Sequence, residues 1–354
     1  MAETMVLVTG ASGFIGIHCV KVLLENGYKV RGTVRDTSNE KKCEPIRQLD
    51  KSPNKTQLEL VSIELQSPLN EWLRAVNGCT YVLHVASPVL MDSNGREKIV
   101  RPAVDGVRSV LSACAATPSV QRLVLTSSVA AIIDMSNLPE IKKTRGLATF
   151  TEDDWVDLAK IDNNSYVESK TRAERIAWEF VENEDVQFDL VVLNPVLVIG
   201  PVLSSVLSST AEITSRFLRG KVPMVPKVMF DVIDVRDVAQ AHFAAMTKPE
   251  ASNQRIILST ESMWFDEIAE CLALEFRPKN YKISQRTLPR WLVRMAALFS
   301  RQAKDLNSFW DTEFSFDNTK MKTLLGITNP TSGRKSLIDG AYSLIEHGQV
   351  PKKF

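Results

Sequence analysis

Thr9-Gly-Ala-Ser-Gly-Phe-Ile-Gly16 decides the fold, because it sets three glycines between an apolar run and a helical pattern. The run Met5–Thr9 predicts a buried strand, and the residues after the glycines predict a helix with one apolar face. In such a unit Gly10 permits the tight turn, Gly13 lets the backbone approach a pyrophosphate, and Gly16 allows close packing of helix on strand. The first helical turn then offers N–H groups to an anion. The segment predicts a dinucleotide-binding unit, with a glycine-rich turn that binds nothing as the alternative.

The alternation of strands and helices continues through the first 200 residues. Further strands are predicted at Tyr28–Val34, Leu58–Leu65, Tyr81–Val85, Arg122–Thr126 and Phe188–Leu193, and further helices at Ile99–Ala115 and Tyr166–Glu182. Such alternation forms βαβ units and a parallel sheet. The predicted fold class is therefore α/β, a doubly wound parallel sheet (Rossmann fold) with a smaller C-terminal lobe that caps the substrate.

The rhythm of strand and helix changes after residue 200, and this change predicts the domain boundaries. Residues 1–200 are expected to form the nucleotide-binding Rossmann domain. Residues 228–248 are expected to return to it, with a strand over Val232–Val238 in the main sheet. The substrate-binding lobe is expected to comprise residues 201–227 and 249–354, and to close over the carboxyl ends of the strands, where ligands bind in such sheets.

Composition excludes several classes of function. The 354 residues carry 43 Lys+Arg and 42 Asp+Glu, a net charge of +1, so we expect no nucleic-acid partner. The five cysteines are scattered without a Cys-x-x-Cys pair, which argues against a metal site or a disulfide framework. Neither a basic leader nor an 18-residue apolar run is present, so no membrane association is expected. We expect a cytoplasmic protein, either a monomer or a homodimer.

The end of the second predicted strand indicates which dinucleotide would bind. Enzymes that use NAD usually place an acidic residue there to hold the ribose 2′-hydroxyl. This chain instead has Val34, then Arg35, with Lys41 and Lys42 following shortly. Cations suit a 2′-phosphate, and Asp36 is expected to cap the turn. The alternative is a solvated basic loop.

Three side chains suggest acid–base chemistry on a carbonyl group. Tyr166 and Lys170 are four positions apart and so project from one helix face. A nearby ammonium favours the phenolate and would lower the pKa of a phenol, which is ordinarily about 10. Ser127 and Ser128 follow a strand, where a hydroxyl can hydrogen-bond a carbonyl oxygen as negative charge develops on it. Alone, the Tyr–Lys pair is more typical of a surface helix pair than of a catalytic site; the order of all these features favours a catalytic site. His84 is expected to line the same cleft.

The combined pattern resembles the extended short-chain dehydrogenase/reductases, in the NAD-dependent epimerase/dehydratase superfamily. Within them it is similar to the group of dihydroflavonol reductases and cinnamoyl-CoA reductases. Besides Thr9–Gly16, Ser128 and Tyr166-x-x-x-Lys170, the resemblance rests on the blocks Val30–Asp36, His84–Pro88, Leu125–Ser128, Asn194–Pro201 and Asp234–Ala239.

The resemblance implies an NADPH-dependent carbonyl (aldehyde or ketone) reductase with a small-molecule substrate. It implies that Ser128, Tyr166 and Lys170 are catalytic. It implies that NADP(H) is held by Gly10, Ser12, Gly13, Phe14, Ile15, Gly16, Arg35, Lys42, Glu64, Leu65, Val85, Ala86, Ser87, Tyr166, Lys170 and Pro195, with Thr210 as a further contact. Glu64 departs from the family, which usually has Asp there.

Two further departures bear on the substrate. Ile133 stands five positions after Ser128, where plant dihydroflavonol reductases typically have Asn, and it cannot hydrogen-bond a catechol-type ring. The block Asn163–Lys170 lacks the Trp and Cys of cinnamoyl-CoA reductases. We therefore expect small or moderately apolar aldehydes or ketones rather than dihydroflavonols or acyl-CoA thioesters.

Two other functions remain open from the sequence. A nucleotide-sugar epimerase or dehydratase shares this architecture, but such enzymes usually retain NAD and need the acidic residue that Val34 replaces. A regulator that senses NADP(H) on the same fold tends to lose the Tyr–Lys pair, which Tyr166 and Lys170 preserve here.

Overall fold

The computed structural model describes residues 4–88, 96–145, 149–161, 164–205 and 209–354. The strands are β1 Met5–Thr9, β2 Lys29–Val34, β3 Leu58–Ser62, β4 Tyr81–His84, β5 Arg122–Thr126, β6 Thr149–Phe150, β7 Asp189–Pro195, β8 Leu197–Ile199, β9 Met229–Asp234, β10 Arg255–Leu258, β11 Glu261–Trp264 and β12 Ser315–Phe316. The helices are α1 Phe14–Glu25, α2 Glu40–Arg47, α3 Leu69–Val76, α4 Arg96–Ala115, α5 Leu138–Arg145, α6 Ser165–Asn183, α7 Ser209–Leu218, α8 Val235–Thr247, α9 Phe265–Phe276, α10 Arg290–Ala296, α11 Arg301–Ser308, α12 Thr319–Thr323 and α13 Gly333–Glu346. Within these ranges, no helix combines the length and the apolar character needed to cross a membrane.

The main sheet of the described chain has seven parallel strands in the order β3-β2-β1-β4-β5-β7-β10. The strand order reverses between β1 and β4, so a crevice opens beyond their carboxyl ends. This architecture confirms the predicted α/β fold class. It also places the glycine turn after β1 at the edge where ligands bind in such sheets.

Helices cover both faces of the main sheet, as the apolar strand sequences require. Successive residues of β1 point to opposite faces: Val6 and Val8 pack with α1 and α8, while Leu7 packs with α3, α4 and α6. All three side chains are fully buried. Packing of helices on both faces of the sheet fixes where each strand ends. It therefore also fixes the positions of the residues that follow the strands.

A smaller sheet in the order β11-β9-β8 carries the second lobe, with α7, α9 and α13 packed on it. The strand predicted at Val232–Val238 is wrong in its place and its bounds. β9 pairs with β8 and β11 in the smaller sheet, and the chain turns into α8 at Val235, where the Asp234 carboxylate accepts the Arg236 N–H. An Asp before a helical run is an N-cap signal, and it ends the strand four residues earlier than expected.

β10 also departs from the predicted boundaries. Arg255–Leu258 lies in the part assigned to the substrate lobe, yet it is the edge strand of the main sheet, paired with β7. A buried run of four residues has no periodicity that separates a strand from a piece of helix, so the sequence did not reveal it. The remainder of the two-lobe division stays a proposal.

The close packing of α1 on the turn generates a stability prediction. A Cβ on Gly16 would lie 2.2 Å from the Gly10 carbonyl oxygen, which is backbone and cannot move aside. A Cβ on Gly13 meets that same oxygen at 3.1 Å. We expect Gly16→Ala to cost about 1–3 kcal/mol of unfolding free energy. Gly13→Ala, the matched control, should cost clearly less. Chemical denaturation without cofactor measures both, and equal losses would contradict this packing.

Candidate active site

One cleft of about 1040 Å³ opens at the carboxyl edge of the main sheet and extends to the smaller lobe. Its walls come from the glycine turn, the ends of β2, β4, β5 and β7, the start of α6, and β9. The cleft is lined by every residue that the sequence assigned to catalysis or to the cofactor: Gly10, Ser12, Gly13, Phe14, Ile15, Gly16, Arg35, Lys42, Glu64, Leu65, Val85, Ala86, Ser87, Ser128, Tyr166, Lys170 and Pro195. Thr210 lines it as well. All of these residues therefore lie around the same cleft. The role of each residue remains a proposal.

The glycine turn forms the floor at one end of the cleft. Gly10 adopts a positive φ of 66°, and its N–H donates to the Thr33 hydroxyl at 3.1 Å, which ties the turn to β2. Gly13 is the N-cap of α1 and offers no side chain to cap it. The N–H groups of the first helical turn are therefore left for an anion, and the helix dipole favours negative charge there.

Positively charged side chains also line the end of the cleft where the glycine turn lies. Arg35 is exposed, Lys42 is half-buried, and both line the cleft. The Asp36 carboxylate forms hydrogen bonds within its own loop. It accepts the Ser38 N–H at 2.9 Å and the Ser38 hydroxyl at 2.6 Å. These hydrogen bonds lower the pKa of Asp36. The expectation that Asp36 caps the turn is confirmed, and Arg35 and Lys42 are two cations at this end of the cleft.

His84 does not line the cleft; it is buried at the end of β4. Its Nδ1 lies 2.9 Å from the Thr9 hydroxyl oxygen, and that oxygen accepts the Ala86 N–H at 3.0 Å. Burial and, to a smaller extent, the nearby Lys170 ammonium lower the pKa of His84 to about 3. A neutral, buried imidazole here joins the ends of β1 and β4 rather than exchanging protons.

Tyr166 and Lys170 lie one turn apart on α6, which begins where the Asn164 side chain accepts the Val167 N–H. Burial raises the pKa of Tyr166 above its usual value, opposed by a hydrogen bond with the Ser128 side chain. The sequence suggested the opposite direction. The phenol is therefore protonated at neutral pH, which is the form that can donate a proton.

Lys170 is buried, with its ammonium directed at the end of β5. Nζ donates to the carbonyl oxygens of Thr126 at 3.5 Å and Ser127 at 3.4 Å. Burial lowers the pKa of Lys170 to about 8, and the nearby Glu174 carboxylate opposes this. The positive charge is thus held at the end of β5, and burial penalises it.

Two hydrogen bonds hold Ser128 in place. Its side-chain oxygen accepts the Ala130 N–H at 3.2 Å and caps a single 3₁₀ turn at Val129–Ala131. Its carbonyl oxygen accepts the Asn194 side-chain N–H at 3.1 Å. These two bonds fix the position of Ser128 at the cleft, and its side chain also forms the hydrogen bond with Tyr166.

Sequence reasoning missed the carboxylate that organises this edge. Glu174 is completely buried, and it accepts hydrogen bonds from the Ser127 hydroxyl at 2.5 Å, from Asn194 at 2.7 Å and from Arg255. It lies one turn beyond Lys170, and this spacing was the available signal. An acidic residue on the buried face of a helix needs buried partners.

Arg255, at the start of β10, supplies the countercharge. It donates to the carbonyl oxygens of Glu152 and Asp154, each at 2.6 Å, and its guanidinium lies 3.7 Å from the centre of the Trp155 ring. A planar donor with five N–H groups suits this combination of ion pair, hydrogen bonds and stacking. The missed strand β10 thus contributes directly to the support of the candidate site.

The other end of the cleft is mostly apolar. Ile133 lines it and is buried beside Phe314, and the cleft wall continues through Met135, Phe230 and Phe316. The position of Ile133 agrees with its expected place in the pocket. Of the block used to judge the substrate class, Asn163 lies outside the described residues.

The Glu174–Arg255 pair gives a prediction about stability. Arg255→Met keeps a long side chain but leaves the buried Glu174 charge without its partner. Breaking a buried pair in this way costs about 3–5 kcal/mol. Arg47→Met, which breaks an exposed pair with Glu40, should cost less than about 1 kcal/mol. Urea denaturation of both variants provides the comparison. A loss for Arg255→Met no larger than that for Arg47→Met would contradict the role of the pair.

Comparison with known proteins agrees with this geometry. The chain is 36% identical over 353 residues to cinnamoyl-CoA reductase 1 of Arabidopsis thaliana, covering 99% of this chain and 91% of the relative. It is 32% identical to NADPH-dependent methylglyoxal reductase GRE2 of Saccharomyces cerevisiae, covering 77% of this chain and 82% of the relative. The crystal structure of yeast methylglyoxal/isovaleraldehyde reductase Gre2 complexed with NADPH superposes with a TM-score of 0.76 at 27% identity, covering 98% of this chain and 99% of that one.

The sequence model described as the NAD dependent epimerase/dehydratase family matches residues 6–258, from β1 to the end of β10. This span includes the glycine turn, the Ser128–Tyr166–Lys170 group and the buried network behind it. The resemblance drawn from the motifs is thereby confirmed. The chain belongs to the NAD dependent epimerase/dehydratase family and is an extended short-chain dehydrogenase/reductase.

Proposed function

We propose that this chain is an NADPH-dependent carbonyl reductase. The observation that carries the proposal is that Ser128, Tyr166 and Lys170 line the same cleft as the glycine turn. An acid, a hydrogen-bond donor and a buried cation are thus grouped beside an anion-binding helix end. Two relatives, a cinnamoyl-CoA reductase and a methylglyoxal reductase, support reduction as the reaction class.

The residues of the cleft fit NADP(H). The uncapped first turn of α1 suits a pyrophosphate, and Arg35 and Lys42 suit a 2′-phosphate. Glu64 and Leu65 line the cleft and would flank the adenine. Val85, Ala86, Ser87 and Pro195 line the same cleft and would lie along the ribose and the nicotinamide. The bound cofactor supplies a hydride to the carbonyl carbon.

The side chains of this chain handle the oxygen and the proton. Ser128 donates a hydrogen bond to the substrate carbonyl oxygen, where negative charge grows as the carbon is reduced. Tyr166 then transfers its phenolic proton to that oxygen, which completes the alcohol. Lys170 stabilises the phenolate left behind, because its ammonium is held in a buried place where charge interactions are strong.

The substrate is expected to be a small or moderately apolar aldehyde or ketone. The support is the apolar wall that contains Ile133, which is only 3% exposed and offers no hydrogen bond. A flavonoid hydroxyl against it would lose water without gaining a partner, at a cost of about 1–3 kcal/mol.

The two alternatives have less support. A nucleotide-sugar epimerase or dehydratase would need an acceptor for the ribose hydroxyls at Val34, which is buried and apolar, and Asp36 is occupied by Ser38. An NADP(H)-sensing regulator has no need of the buried Lys170 or of the network that supports Ser128.

Removing the proton donor tests the chemistry. Tyr166→Phe keeps the ring and removes only the hydroxyl, so kcat for aldehyde reduction should fall by about 10²- to 10⁴-fold. NADPH affinity, measured by quenching of protein fluorescence, should change little. Tyr28→Phe, which removes a hydroxyl outside the cleft lining, is the control and should leave both quantities unchanged. Near-native kcat in Tyr166→Phe would place the chemistry elsewhere.

Removing a cation tests the choice of cofactor. Arg35→Gln should raise the KM for NADPH by about 10- to 100-fold, since one charge-assisted contact is worth about 1.5–3 kcal/mol. The KM for NADH should barely change, because NADH lacks the 2′-phosphate. Arg47→Gln, also on this side of the fold but outside the cleft lining, controls for net charge. Equal changes for both cofactors would contradict the assignment of Arg35.

A further inference from the structure

Four large apolar side chains are exposed together at α10 and the turn that follows it. Trp291, Met295, Leu298 and Phe299 are between 58% and 91% exposed. The described chain exposes seven large apolar side chains, and these four fall within nine residues of sequence. Single exposed apolar residues are normal on a protein surface, whereas a contiguous group of this kind marks a site of interaction. We call these four residues the α10 patch.

The α10 patch lies on one face of a helical segment. α10 covers Arg290–Ala296, and the Ser300 N–H still donates to the Ala296 carbonyl oxygen, so the helical path continues beyond the end of α10. Along this path the patch residues recur at spacings of four, three and one, which brings them to one side. Val293, on the opposite side, is only 3% exposed. The segment therefore packs on the protein with one face and presents a second apolar face to solvent.

The sequence around the α10 patch is strongly basic. Residues 277–304 contain eight Lys and Arg residues and no Asp or Glu, although the whole chain has a net charge of only +1. Arg290 and Arg294 are exposed and lie one helical turn apart, beside the patch. Neither guanidinium pairs with a carboxylate among the described residues. Both charges are therefore available to an anion outside the protein.

An anionic membrane surface suits both features at once. Helices that lie in the plane of a bilayer surface present Trp, Phe and Leu to the lipid and carry Lys or Arg beside them. Trp291 suits the headgroup level, because its ring is apolar and its indole N–H is polar. Arg290 and Arg294 would meet the negative charges of the lipid headgroups, which attract basic side chains near the surface.

A second copy of this chain suits the α10 patch less well. In a two-fold dimer the same surface meets itself, so Arg290 and Arg294 of one copy would lie near the same residues of the other. Like charges brought together in this way oppose association. A membrane that carries negative charge covers the apolar face without this conflict.

We propose that the α10 patch, with Arg290 and Arg294, attaches the protein to the surface of a membrane that contains anionic phospholipid. The inference does not depend on the proposed reaction, because the four patch residues are not among those that line the cleft. It departs from the expectation of no membrane association, which rested on the lack of an apolar run long enough to span a bilayer. Attachment to the surface needs no such run.

Sedimentation with sucrose-loaded vesicles measures this binding. The full chain is mixed with vesicles of phosphatidylcholine alone, or with vesicles in which phosphatidylserine makes up about a third of the lipid. We expect binding to the anionic vesicles to be tighter by about tenfold or more, as two cations near a charged surface provide. Raising NaCl from about 0.1 M to about 0.5 M should weaken this binding, because salt screens the attraction.

Matched pairs of charge variants assign the attraction to the patch. Arg290→Gln combined with Arg294→Gln should weaken binding to the anionic vesicles by about tenfold or more. Arg74→Gln combined with Arg108→Gln makes the same change in net charge at exposed positions of α3 and α4. This control should bind as the wild type does.

A matched pair of leucine variants tests the apolar contact. Leu298→Ser should weaken binding to the anionic vesicles by about fivefold or more, because less apolar area enters the lipid. Leu69→Ser changes an exposed leucine on α3, outside the patch, and should leave binding unchanged. Thermal unfolding checks that every variant remains folded, as expected for changes at exposed side chains.

Four results would overturn the inference. The wild-type protein could bind neither kind of vesicle, or bind both equally well. The paired arginine variant or Leu298→Ser could bind the anionic vesicles as tightly as the wild type. Finally, a wild type that ignores vesicles but self-associates, with self-association lost in Leu298→Ser, would identify the patch as an interface between copies of this chain.

Discussion

The buried carboxylate of Glu174 is the constraint around which the candidate site is built. A fully buried charge is tolerated only when it is paired and hydrogen-bonded, and Glu174 meets this need by drawing on Ser127, Asn194 and Arg255. These partners come from the end of β5, from β7 and from β10. The carboxylate thereby joins three strands to α6 at the edge where Ser128, Tyr166 and Lys170 lie. It also opposes, with its charge, the effect of burial on Lys170.

The cleft beside this network has two ends that differ in chemical character. One end has an uncapped helix and two cations, and it suits a phosphorylated dinucleotide. The other has an apolar wall that contains Ile133. Ser128, Tyr166 and Lys170 line the same cleft, held by backbone hydrogen bonds and burial rather than by exposed side-chain contacts. Rigid support of this kind suits the proposed role of the neutral Tyr166 phenol as the proton donor.

Local sequence signals, periodicity and spacing, predicted the residues of the site well. They did not predict which strands pair across long distances in the sequence. The strand, glycine turn and helix around Gly10 and the residues after β5 follow from periodicity and spacing, so their positions in the cleft could be expected. β9 and β10 were misplaced, because short buried strands have no distinguishing period and their sheet is chosen by tertiary contacts. Arg255 was missed for the same reason.

The central claim is that the cleft delivers a hydride to a carbonyl carbon. The direct test uses NADPH carrying deuterium at both positions of nicotinamide C4, with 3-phenylpropanal as substrate and the product analysed by mass spectrometry and NMR. The account predicts one deuterium on the carbinol carbon of the product alcohol. An alcohol formed without deuterium at that carbon, or oxidation of NADPH with the aldehyde recovered unchanged, would contradict it.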